Sequence, residues 1–111
     1  MLKLVLTQGY VFNTGDYGRA HQFKIFDEGE AAFDATSYSL PIVKVSDPDG
    51  NTVISPLTGA WTAQNQGAGT FAFTRENHLG SAGPHYIEVQ LEKSGTVTST
   101  ERRRITVLAS P

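Results

Sequence analysis

Cysteine is absent from the 111 residues, so disulfide frameworks and cysteine-based zinc sites are excluded and the redox compartment stays open. Long hydrophobic runs are absent too; nothing approaches the ~18 apolar residues of a membrane-spanning helix. The N-terminal stretch MLKLVLTQGYVF could pass for a signal peptide. Its apolar run is too short for that, and Leu2, Leu4 and Leu6 alternate onto one face as in a strand. Charge of one sign is lacking: the formal net charge is −2, which offers no general attraction to nucleic acid or an anionic membrane. Amphipathic helices of useful length and internal repeats are also missing. These absences describe a soluble chain with neither a nucleic-acid nor a membrane partner.

What is present is punctuation. Eleven glycines and five prolines are spread along the chain between short alternating segments, and 39% of residues are apolar, as expected when strands bury one face only. The stretch Thr14–Asp34 is typical. Thr14, Gly15, Asp16 and Gly18 are turn residues; Phe23 and Ile25 then alternate with Gln22 and Lys24; Asp27 to Glu30 break the pattern and Phe33 resumes it. Further strands are expected at Leu2–Thr7, Ala20–Phe26, Ile42–Val45, Ala60–Asn65, Thr70–Arg75, His85–Lys93 and Val97–Leu108. Pro41 implies an edge position or a late start for its strand. Asp47-Pro48-Asp49-Gly50-Asn51 predicts a hairpin returning through Val53 and Ile54, and Ser94-Gly95 a tight hairpin turn. One helical turn is expected at Glu76–Leu79. With seven to eight strands and turn signals every ~8–12 residues, one domain over residues 1–111 is predicted, an all-β, immunoglobulin-like antiparallel β-sandwich.

Few side chains stand out chemically. Asp47, Asp49 and Asn51 open like a calcium loop, but the position that should carry its glutamate is Thr58, which favours plain turn chemistry. His21, His78 and His85 lack the spacing of metal ligands, and for His21 and His85, at strand starts, a partly exposed hydrogen-bonding role is expected. There is no nucleophile elbow and no phosphate loop, and no two carboxylates are singled out. The expectation is no enzyme, no cofactor and no metal. Arg102-Arg103-Arg104 is the one charge run. Alternate arginines of a strand point to opposite faces, so two readings stand: edge protection, aided by pairing with Glu88 and Glu92, or contact with an acidic partner. Trp61, Phe71 and Phe73 are expected in the core. Tyr10, Tyr17, Tyr38 and Tyr86 are the candidates for exposed aromatics, the basis of an alternative reading as a host-surface carbohydrate-binding module.

The order of motifs carries a resemblance. Gly15-Asp16, Phe23-Lys24-Ile25-Phe26-Asp27-x-Gly29, Phe33-Asp34 with Thr36-Ser37, Val45-x-Asp47-Pro48-Asp49-Gly50, Gly69-x-Phe71-x-Phe73, Tyr86-Ile87-Glu88-Val89-x-Leu91 and the closing Thr98–Val107 together resemble the N-terminal domain of phage upper baseplate proteins. The resemblance covers Gly15 to Val107. It implies an immunoglobulin-like sandwich in a virion, a docking or adaptor module of the tail tip or baseplate. Its implied partners are other phage virion proteins, with copies of itself in a symmetric assembly, and no catalytic residues come with it. Family members continue into a long helical stalk, whereas this chain stops at Pro111. It is therefore expected to be either a small stand-alone virion protein, in which case capsid decoration is the alternative, or a domain of a longer one.

Overall fold

Alternating burial becomes ten strands in the computed structural model, which describes residues 1–110; Pro111, the end of the expected domain, lies outside the described residues. They are β1 (Lys3–Leu6), β2 (Val11–Asn13), β3 (Ala20–Phe26), β4 (Ile42–Ser46), β5 (Leu57–Thr58), β6 (Ala60–Ala63), β7 (Ala68–Ala72), β8 (Gly83–Lys93), β9 (Thr96–Ser99) and β10 (Arg103–Leu108). Eight of them have four residues or more, matching the seven to eight expected, and β2 and β5 are short additions. A 3₁₀ turn, Gln64–Gln66, separates β6 from β7. No helix among the described residues is long and apolar enough to cross a membrane.

The strands form two sheets. One has the order β1-β3-β7-β6; the other runs β2-β10-β8-β4-β5, with β9 beside the second half of β8. Inward residues of both sheets form one core: Leu4, Leu6, Phe23, Ile25 and Phe71 from the first sheet, with Phe73 just past β7, cluster with Val43, Val45, Ile87, Val89, Leu91, Ile105 and Val107 from the second. Fully burying each such side chain stabilises the fold by about 1.5–3 kcal/mol. Gly69 makes room for the largest of them. It stands opposite Phe23 on β3 and Trp61 on β6, and a Cβ there would lie 2.7 Å from the Phe23 ring and 2.6 Å from the Ala60 carbonyl oxygen.

Consecutive strands β1 and β2 belong to different sheets. The chain crosses between them at Gly9, whose φ of 105° a side chain would disfavour, and Gly9 N–H donates to the Leu6 carbonyl at 3.1 Å. β2 then runs parallel to β10, with Thr106 N–H donating to the Tyr10 carbonyl and Thr14 N–H to the Leu108 carbonyl, both at 2.9 Å. This pairing departs from the purely antiparallel expectation.

Three further expectations are corrected. The return strand from Val97 to Leu108 is broken in two, because the Thr100 hydroxyl enters the ladder. Its Oγ1 accepts from Val89 N–H at 3.0 Å, while the next N–H, of Glu101, donates to the Leu2 carbonyl at 2.8 Å and so leaves β8. Glu76–Leu79 is not helical; Thr74 and Asn77 close that loop with reciprocal backbone hydrogen bonds of 2.9 and 3.2 Å. The hairpin after Gly50 forms, but its return is one bridge, Ser46 to Thr52, rather than a strand. Pro41 marks a late start, since β4 begins at Ile42. Ser94 and Gly95, with φ of 51° and 82°, make the tight β8–β9 turn.

Candidate docking face

The outer face of the six-stranded sheet is built by the half-exposed phase of three neighbouring strands. β8 sits between β4 and β10; Ser46 and Arg104 both stand opposite Tyr86, and Lys44 stands opposite Glu88. Residues directly opposite in an antiparallel pair bring their Cβ atoms within ~5 Å, so Arg104, Tyr86 and Ser46 form one row across the sheet. Arg102 completes it. Its guanidinium lies 4.9 Å from the centre of the Tyr86 ring and donates through Nη2 to Ser46 Oγ at 3.0 Å. The aromatic face and the hydroxyl fix the orientation of a charged group that is otherwise exposed.

The expected pairing of these arginines with Glu88 and Glu92 does not occur. Among the described residues, no ion pair joins Lys44, Arg102 or Arg104 to any carboxylate. Register sets Arg104 opposite Tyr86 rather than a glutamate, while the Arg102 side chain turns to Tyr86 and Ser46. Arg104 presents its guanidinium outward, and that of Arg102 lies on the same face, held by Tyr86 and Ser46 and without a carboxylate partner among the described residues. Arg103 turns the other way, over the Tyr10 ring at 4.9 Å and 4.0 Å from the Glu101 carboxylate, beside the stretch of β10 that precedes its pairing with β2. There it guards an open cleft of about 550 Å³ between β1 and the chain before β10. The charges of that cleft satisfy one another, Lys3 with Glu30 at 3.3 Å and Arg103 with Glu101.

The same outer face has an apolar end. Ile42 stands opposite Gln90 and Val97 opposite Glu92, and Leu40 and Val97 are 52% and 57% exposed. Leu40, Ile42 and Val97 line a hollow of about 300 Å³. Neither Lys44 nor this apolar group was recognised in the sequence. Val97 has the sequence phase of the inward Ile105 and Val107 and faces outward only because the strand breaks at Thr100, and the neighbourhood of all these residues depends on strand order.

The remaining candidates resolve into structural roles. Asp47 Oδ1 accepts from the N–H groups of Asn51 and Asp49 at 2.9 and 3.0 Å, so its carboxylate is occupied by its own turn. The Asn51 N–H foremost holds that carboxyl below the usual carboxylate range. No group of three or more possible metal ligands exists among the described residues. His78 lies beside Tyr17, and its Nδ1 is 3.3 Å from the Thr74 carbonyl. His85 is not partly exposed but 5% accessible, in phase with the inward Ile87 and Val89, with Nδ1 3.1 Å from the Gly83 carbonyl. His21 packs against Phe12, Phe71 and Phe73 with ring centroids 4.9 to 5.6 Å away, an aromatic setting in place of the hydrogen-bonding role expected. Phe71 and Phe73 are core, and Trp61 is half-buried with its indole N–H on the Ser39 carbonyl at 3.0 Å. Three of the four tyrosines lie beside cations, Tyr38 under Lys93, Tyr86 under Arg102 and Tyr10 under Arg103; Tyr17 is 54% exposed.

No family model and no curated protein matches the chain. Among solved structures, CopC from Methylosinus trichosporium OB3b aligns over 100% of this chain and 97% of its own, with a TM-score of 0.54 and 11% identity. The Lin-41 filamin domain aligns over 96% of this chain and 91% of its own, with a TM-score of 0.48 and 12% identity. At this identity the likeness to CopC shows the fold alone, an immunoglobulin-like β-sandwich.

Proposed function

We propose that the chain is a non-enzymatic docking module of a phage particle, placed in the tail tip or baseplate. The observation that carries the docking part is the outer sheet face with Arg102 held over Tyr86 and Arg104 beside it, both without a carboxylate partner among the described residues. Arginine that is oriented yet unpaired has lost part of its side-chain freedom in advance, which favours contact with a partner. The phage part rests on the resemblance in motif order from Gly15 to Val107. A sugar-stacking platform is less favoured, since it needs open aromatic faces and cations lie over three of the four tyrosine rings.

Mass spectrometry of purified virions, with copy number, tests the reading. A copy number on the order of tens or fewer is expected for a tail or baseplate position. One on the order of hundreds would move the module to the capsid shell, where that many equivalent sites exist. Absence from the particle overturns the reading.

A further inference from the structure

Resting on the docking reading, we propose that the outer face of the six-stranded sheet binds an acidic protein segment that also carries an apolar anchor. The two chemistries sit at opposite ends of one face. At the Tyr86 end, Arg102, Arg104 and Lys44 outnumber Glu88. At the Gln90 end, Leu40, Ile42 and Val97 surround the hollow of about 300 Å³. From Tyr86 to Gln90 is four residues of extended strand, about 13 Å. A segment laid along β8 thus meets both ends when its apolar side chain and its carboxylates are four residues apart.

Charge distribution selects protein over a uniform polyanion. Nucleic acid or a sulfated polysaccharide would bring negative charge against Glu88 and Glu92, which share this face, and would leave the hollow unfilled. A protein segment places its carboxylates only where the arginines are. Arg104 presents a free planar fork for bidentate contact with a carboxylate, and Arg102 is already oriented by Tyr86 and Ser46. The exposed leucine and valine fit the pattern in which a desolvated apolar contact supplies affinity and the charges around it supply selection.

The probe is a fluorescein-labelled peptide with a central leucine and, four residues away on each side, a glutamate pair. Its binding is followed by anisotropy at low and moderate salt. We expect replacement of the glutamates by glutamine, or Arg104→Glu in the protein, to weaken binding about tenfold. Replacing the peptide leucine by serine, or Val97→Ser, weakens it severalfold, and Glu88→Gln strengthens it. All the protein substitutions are at exposed or half-exposed positions, so unchanged unfolding midpoints serve as the folding control. Binding indifferent to Arg104→Glu, or equal for the glutamine peptide, overturns the proposal. So does tighter binding of heparin or duplex DNA that is insensitive to Val97→Ser. Failure here with the protein still present in virions leaves the docking reading standing; intact peptide binding by a protein absent from virions does the reverse.

Discussion

The fold favours the neutral form of the His21 imidazole. Burial among Phe12, Phe71 and Phe73 lowers its pKa from 6.5, Arg19 adds repulsion, and Asp16 opposes them in part. A folded-state value below the unfolded one means that the unfolded chain binds the proton more tightly. The stabilisation is therefore fully present above the unfolded value and is lost as pH falls through 6.5 towards the folded value. The thermal midpoint should drop between about pH 7.5 and pH 5, and His21→Phe should reduce that drop. An unchanged drop in the variant would assign it to other groups. Among single residues, inward phase was readable and immediate partners were not. His85 lies in phase with Ile87 and is buried accordingly, although its place at a strand start pointed outward.

At the scale of elements, the break between β9 and β10 shifts the phase of one strand against the other, so that Val97 faces the same way as Arg104. A regular strand through Thr100 would keep one backbone ladder with β8; instead the hydroxyl of Thr100, 3% exposed, takes the Val89 N–H. Removing that hydroxyl with nearly the same shape, Thr100→Val, leaves a buried N–H without its acceptor. The expected loss is about 1–3 kcal/mol of unfolding free energy in a denaturant titration. Thr100→Ser, which keeps the hydroxyl, should cost clearly less, and equal losses in both variants would point to packing. The strands themselves were legible because Leu4 and Leu6, Phe23 and Ile25, and Ile87, Val89 and Leu91 alternate with polar neighbours. The break was not, since Thr-Glu-Arg continues the same alternation and only the side-chain bond to β8 reveals it. Likewise the outward direction of Arg102 and Arg104 follows from period 2, whereas the place of Arg104 opposite Tyr86 depends on register and the hold on Arg102 depends on its contacts with Tyr86 and Ser46.

For the whole molecule, the sandwich was foreseeable from strand number and turn spacing, but strand order was not, because turn chemistry is local and pairing across the sheets is not. The parallel pairing of β2 with β10 is the part of that order with a mechanical consequence. A pull on the two ends of the sandwich draws β2 and β10 in opposite directions along their common axis. Thr106 N–H to Tyr10 and Thr14 N–H to Leu108 are then loaded together, in shear. Attaching the force at residue 14 and at the C-terminal end instead loads the pair from one end, so the same bonds open one after another. Single-molecule pulling should give a higher rupture force in the first geometry than in the second, and equal forces would mean that the load bypasses this pair. A sandwich built this way is strong along its chain and weak across it, so its resistance to force depends on where the force is attached.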